Sequence, residues 1–297
     1  MSDTSYQAVI ETLAKKFGTV SGVSFDTGMA GLPRLCIKTP LAEAHIYLYG
    51  AHVTHFQPAK QKPVLFLSSV PVKPGAAIRG GVPISFPWFA VRRKDFDAGP
   101  ATKDVRHGLA RTMMWDLTDI QRAGDDVVAR LSLYADDYTR SYWPADFSAE
   151  YVVRVGTALH LSLIVHNLGT APIRFEEALH TYYGVSEVGN VTLDGPRWAR
   201  ELKFDKPTDH IAQNTPDTVV LKDSGFQRSI AVEKTNSAST VVWFPWMPEA
   251  GKTTLGDMTQ PESRQMLCIE TANVGPAMVT LAPGATHTMR TRISVGK

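Results

Sequence analysis

The chain has 297 residues, 43% hydrophobic and 20% charged, a soluble globular composition able to bury a large core. Its 31 Lys and Arg nearly balance 29 Asp and Glu, a net charge of +2, so bulk charge points to neither nucleic acid nor an anionic membrane. No apolar run approaches the roughly 20 residues of a membrane span, and the N-terminus lacks the basic-then-apolar order of a secretory signal. Cys36 and Cys268, the two cysteines, sit in apolar contexts without CxxC spacing or a His-rich metal pattern. Both are expected to be small buried hydrophobes in a soluble, cytoplasmic protein.

The first predicted element is a helix over about residues 5–17, where Tyr6, Val9, Ile10, Leu13 and Phe17 recur at helical spacing. Thr4 or Ser5 can cap it, Lys15 and Lys16 suit its C-terminal dipole, and Gly18 ends it. It reads as a structural flap. Beyond Gly18 come short β-type runs punctuated by Gly and Pro: 34–38, 44–49, 52–57 and 64–68. Further runs cover 127–134, 151–155, 159–166, 173–183 and 191–193, then 230–234, 240–244, 266–271, 278–281 and 287–293. Alternation from Leu159 to His166 marks a half-exposed antiparallel strand. The lack of a βαβ rhythm and of GxGxxG argues against a doubly wound nucleotide fold and for an all-β, mainly antiparallel sandwich. No linker, charge block or internal repeat divides the chain, so a single domain over 1–297 is expected, with the sandwich over about 30–295.

Two strand-like runs each carry one proton-handling side chain: His180 in Leu179-His180-Thr181-Tyr182-Tyr183, and Glu270 in Cys268-Ile269-Glu270-Thr271-Ala272-Asn273. Held on strands and facing one cavity, they would form a general acid/base pair. Taken singly, His180 reads as a satisfied core histidine and Glu270 as a carboxylate paired with an arginine. Arg79 in Ile78-Arg79-Gly80-Gly81-Val82-Pro83 and Arg111 in His107-Gly108-Leu109-Ala110-Arg111 offer planar forks suited to phosphate, with Gly80 and Gly81 letting the backbone come close. The rival role is an ion pair with Glu176, Glu177 or Asp104. Positive charge also gathers at Arg92-Arg93-Lys94, read as a solvated loop, and at Lys103-Asp104-Val105-Arg106-His107.

Several motifs together resemble the aldose 1-epimerase (mutarotase) superfamily. Tyr49-Gly50-Ala51-His52-Val53-Thr54 is similar to an early strand of that superfamily. The Arg79 and His107–Arg111 segments, with Pro87-Trp88-Phe89, resemble its hexose-6-phosphate branch. Ala178 to Tyr183, Gly256-Asp257-Met258 and Cys268 to Asn273 continue the likeness in order, over about residues 30–295.

The resemblance implies a galactose-mutarotase-type β-supersandwich that interconverts the α and β anomers of a hexose 6-phosphate. It makes Glu270 the base on the C1 hydroxyl and His180 the acid on the ring oxygen, with roles reversed on closure. Arg79 and Arg111 are the phosphate candidates, and His107 is read either as a donor to a sugar hydroxyl or as a turn-stabilising histidine before Gly108. Asp217 lies where the family places a sugar-binding aspartate, although Thr218 follows it where an Arg is usual and Phe244 replaces the usual Asn. Trp243 and Trp246 are candidates to stack on a sugar face or to pack in the core. No metal or organic cofactor is expected, and a monomer without nucleic-acid or membrane partners. The alternatives are a mutarotase of unphosphorylated aldoses and a non-catalytic sugar-phosphate-binding protein.

Overall fold

Alternating burial shapes the largest sheet. In the strand Ala158–Asn167 of the computed structural model, Leu159, Leu161, Leu163 and Val165 are fully buried, while His160, Ser162, Ile164 and His166 are half covered on the opposite face. This strand lies inside an eight-stranded antiparallel sheet ordered Val191–Asp194, Val219–Asp223, Arg228–Thr235, Thr286–Gly296, Ala158–Asn167, Phe147–Val155, Asp126–Tyr134 and Asp116–Ala123. The described residues are 3–92, 105–215, 218–246 and 255–296.

A second, six-stranded sheet runs Thr208–Gln213, Ser239–Phe244, Met266–Asn273, Glu177–Leu179 and Ile84–Ser85, with Tyr182–Gly184 also paired to Met266–Asn273. Leu267 and Ile269 of its central strand share one hydrophobic cluster with Leu161 and Leu163 of the large sheet, so the two form a sandwich around a common core. A four-stranded sheet (Val23–Thr27, Pro33–Lys38, Ala42–Tyr47, His52–Pro58) and the pair Ile173–Phe175 with Val279–Leu281 complete the β structure. The mainly antiparallel all-β architecture read from the sequence is the one observed. The helix covers Asp3–Phe17, Gly18 closes it through a bond from its N–H to Ala14 O, and Ile10, Leu13 and Phe17 are its buried side. Among the described residues no helix is long and apolar enough to cross a membrane.

Several expectations are corrected. The run 173–183 is three short strands, Ile173–Phe175, Glu177–Leu179 and Tyr182–Gly184. The break falls at His180 and Thr181, where Thr181 N–H turns back to Leu179 O (2.8 Å), but the pairing register carries through it: His180 N–H donates to Pro83 O (2.9 Å), the position after the Leu179–Ile84 pair. Segment 64–68 is no regular strand but makes isolated bridges, Leu65 to Tyr183 and Leu67 to Gly80. Cys36 is half-buried, its Sγ 3.6 Å from Asp26 Oδ1, whereas Cys268 is buried as expected. Arg92 is no free loop charge: it donates to Tyr142 O at 2.8 Å and lies over the Trp88 ring. Arg93, Lys94, Asp104 and Asp217 lie outside the described residues.

Candidate active site

All eight residues of Met266–Asn273 are buried, because neighbours flank the strand on both sides and both of its faces are covered. Strand parity sends Leu267 and Ile269 into the sandwich core and Cys268 and Glu270 to the other face, where Glu270 lines a cleft of about 250 Å³. His180 faces the same cleft because it lies across from Glu270 in one register, between the pairs Leu179–Thr271 and Tyr182–Cys268. Its Nδ1 lies 3.4 Å from Glu270 Oε1. Neither that nitrogen nor either Glu270 oxygen makes a hydrogen bond. A buried carboxylate with no donor is costly, and such a cost concentrates at functional sites.

Burial pushes the Glu270 carboxyl well above the usual carboxylate range; the Asp209 charge adds to this and Arg111 opposes it. Burial also holds His180 well below the ordinary histidine value, reinforced by His107, Arg111 and Arg79. The His180 ring stacks on Tyr182 at 4.9 Å and 10°, with the Trp243 ring edge-on at 6.0 Å and His107 at 5.2 Å. The imidazole is therefore held from three sides.

His107 sits in the left-handed region (φ 62). Its Nδ1 accepts from Ala90 N–H and lies within hydrogen-bond reach of Ser85 Oγ, each at 3.2 Å, which leaves the ring proton on Nε2 as a donor. Burial, with Arg111, Arg106 and Arg79 nearby, pushes His107 down to about 3 and keeps it neutral.

Arg79 and Arg111 both line the cleft but differ in what they touch. Arg79 donates from Nη1 to Tyr182 Oη (2.7 Å) and from Nη2 to Asp257 Oδ2 (2.8 Å). Burial works against its charge, yet Tyr182 and Asp257 more than offset this and raise its pKa. Its carboxylate partner is Asp257, not Glu176 or Glu177. Glu176 is committed to the N–H groups of Phe89 and Gly275, and Glu177 to His287 and Asn273. Gly80 and Gly81 act behind the arginine: both have positive φ, and a Cβ would come within 2.5 Å of Phe66 O and 2.3 Å of Val53 O respectively. They serve close backbone packing, and His52 Nε2 at 2.7 Å from Gly80 O pins the turn.

Arg111, in the short 3-10 turn Ala110–Thr112, donates from Nη2 to Arg106 O at 2.8 Å; its Nε has no partner. It meets no carboxylate among the described residues. Burial, then the charges of Arg79 and Arg106, push it down to about 10 against partial help from Tyr182 and Asp257. With Arg106 also on the wall, three guanidinium groups face one small space.

The cleft thus gathers His180, Glu270, Arg79, His107 and Arg111 as the sequence motifs suggested, and adds Asp209 and Arg106. Asp209 was missed because Thr208–Gln213 is too polar to read as a strand; pairing brings Asp209 beside Trp243, and Trp243 beside Cys268. Trp243 lines the cleft, Phe244 is buried edge-on to Phe204, and Trp246 packs on Phe244. The ligand-type atoms of His180, Cys268 and Glu270 lie within 4.8 Å of one another.

The aldose 1-epimerase family model matches residues 33–198 and 190–294. A protein of Escherichia coli K12 named "Putative glucose-6-phosphate 1-epimerase" is 31% identical over 261 residues, 81% of this chain and 83% of that protein. A protein of the same name from Salmonella typhimurium is 29% identical over 258 residues, with 81% of this chain and 83% of that protein covered. The crystal structure of "a putative mutarotase" from Salmonella typhimurium superposes with a TM-score of 0.79 at 26% identity, covering 96% of this chain and 99% of the other. A galactose mutarotase-like protein from Clostridium acetobutylicum shares the fold at 13% identity, with a TM-score of 0.68 and 93% and 98% coverage. The chain belongs to the aldose 1-epimerase family.

Proposed function

We propose that this epimerase interconverts the α and β anomers of a hexose 6-phosphate, D-glucose 6-phosphate being the first candidate. The observation that carries the phosphate is Arg111, a half-buried guanidinium beside Arg79 and Arg106 that pairs with no carboxylate among the described residues. A phosphate dianion is the ligand class that matches such a surplus of forked donors. The names borne by the relatives from Escherichia coli and Salmonella typhimurium agree with it.

In the reaction, Glu270 takes the proton of the C1 hydroxyl while His180 gives one to the ring oxygen, and the bond from C1 to that oxygen breaks. The open aldehyde rotates about C1–C2. His180 then removes the proton from the attacking hydroxyl, Glu270 returns one to the carbonyl oxygen, and the opposite anomer forms. Burial makes Glu270 a strong base for a carboxylate, and the 3.4 Å separation allows the two groups to act on adjacent oxygens of one anomeric carbon. His107 Nε2–H and the Asp209 carboxylate supply a donor and an acceptor for sugar hydroxyls, and Trp243 supplies a face for the ring. The test is anomer exchange followed by NMR with glucose 6-phosphate and glucose at equal concentration. A clear preference for the phosphorylated sugar is expected. Equal rates would favour a mutarotase of free aldoses, and no acceleration of either sugar would favour a non-catalytic binding protein.

A further inference from the structure

His180 and Glu270 share their burial with a third group that the proton chemistry does not use. Cys268 stands two residues before Glu270 on the same strand face and is fully inaccessible. The ligand-type atoms of the three side chains lie within 4.8 Å of one another. Even if all three separations reached that limit, a point about 2.8 Å from each atom would exist, against Zn–S and Zn–N bonds of about 2.3 and 2.0 Å. Side-chain adjustments of well under about 1 Å would close the difference. A second observation points the same way: His180 Nδ1 and both Glu270 oxygens are buried and unpartnered. With the imidazole proton on Nε2, all three atoms are electron-pair donors turned towards one another.

We infer that His180, Cys268 and Glu270 form a latent site for a thiophilic divalent cation of the zinc class, and that its occupancy shuts off the cleft. One nitrogen, one sulfur and one carboxylate oxygen are a zinc-type donor set and leave a fourth position open to the cleft. Magnesium and calcium, which need six or more oxygen ligands, are excluded by the same set. Binding forms the metal–sulfur bond as the Cys268 S–H bond breaks, and the proton passes to solvent. The ion takes the lone pairs of Glu270 and His180, so the bound enzyme has neither base nor acid. The acid/base roles rest on the proposed function; the metal site itself rests only on geometry.

The experiment titrates the purified, chelator-treated chain with Co2+, read by its thiolate-to-metal absorption, and with Zn2+, read by inhibition of glucose 6-phosphate anomer exchange. The wild type should show the thiolate band, and Zn2+ should compete with the sugar phosphate while Mg2+ has no effect. Cys268→Ala and the near-isosteric Cys268→Ser should each retain metal-free exchange, lose the band and weaken Zn2+ inhibition at least tenfold; Cys36→Ala should change none of these. Absence of the band in the wild type, its persistence in both Cys268 variants, or equal inhibition by Mg2+ overturns the inference. Because the band reports binding without turnover, it decides the metal site even if glucose 6-phosphate proves not to be a substrate.

Discussion

Arg111→Met is the perturbation that separates phosphate recognition from structural support. Among the described residues this guanidinium spends one N–H on Arg106 O and leaves Nε unpaired, so its fork has donors to offer an anion. A hydrogen bond to a charged group contributes roughly 1.5–3 kcal/mol, so losing the fork should lower kcat/KM for glucose 6-phosphate by roughly 10–100-fold or more. Turnover of glucose should change little. Arg111→Lys should recover only part, since a point charge does not reproduce the two-pronged geometry. Arg79→Ala should also harm the phosphorylated sugar, but it leaves Asp257 without its ion-pair partner.

Stability supplies the control. The pKa of Arg111 is lowered by folding, to about 10, so at neutral pH the folded state holds this proton less tightly than the unfolded chain, and the charge opposes folding. Arg111→Met should therefore leave Tm unchanged or raise it, the opposite of what loss of a structural ion pair would do. Anomer exchange by NMR on both sugars, with a thermal melt, checks the whole argument. Equal losses for glucose and glucose 6-phosphate together with a lowered Tm would refute it and mark Arg111 as structural.

Glu270→Gln and His180→Asn should each slow anomer exchange by roughly 10²–10⁴-fold while sugar-phosphate binding persists; near wild-type rates in both would remove the acid/base assignment. Asp209→Asn removes a like charge from beside Glu270, so the carboxyl should fall from its raised value. The acidic limb of kcat/KM, which requires Glu270 deprotonated, should then move to lower pH; a limb that stays or moves up contradicts the coupling. Chelator-treated enzyme should keep full activity, and restoration of lost activity by a divalent ion would show that the acid/base pair does not suffice.

How much of this was legible in the sequence depended on whether an element's own residues carried its signal. Alternation at Leu159–His166 gave a strand because one face is dry and the other wet. Thr208–Gln213 carries little apolar signal of its own; it is a strand because Ser239–Phe244 lies beside it, and Asp209 was lost with it. His180 and Glu270 stood out as proton-handling groups in apolar runs, but the register that sets them opposite one another, between the pairs Leu179–Thr271 and Tyr182–Cys268, is written in neither run alone. The partner of Arg79 was equally invisible: Asp257 is 178 residues away in sequence. Glu176 and Glu177, adjacent to the motif, are consumed by backbone and histidine donors instead. Gly80 and Gly81 were recognisable as backbone requirements, but the close approach they permit is to Phe66 and Val53.

The arginines and the acid/base pair are not independent parts. The protein alone drives Glu270 towards its protonated form and His180 towards its neutral one, which is the wrong assignment for removing a proton at C1 and giving one to the ring oxygen. Burial does most of this, but His180 is also held down by the charges of Arg111 and Arg79. On the proposed function, a phosphate dianion seated on those arginines would offset their charge and raise the proton affinity of His180, so the substrate's remote group would prepare the acid as well as hold the sugar. The interaction would be worth most at the transition state, which is where binding energy accelerates a reaction. Supplied in pieces, the same effect should be visible: inorganic phosphate or phosphite should speed anomer exchange of unphosphorylated glucose in the wild type, with saturation. In Arg111→Met the activation should vanish, because the receiving charge is gone. Phosphate that only inhibits glucose turnover would show that the 6-phosphate contributes anchoring alone and that the charge coupling between the arginines and His180 has no part in catalysis.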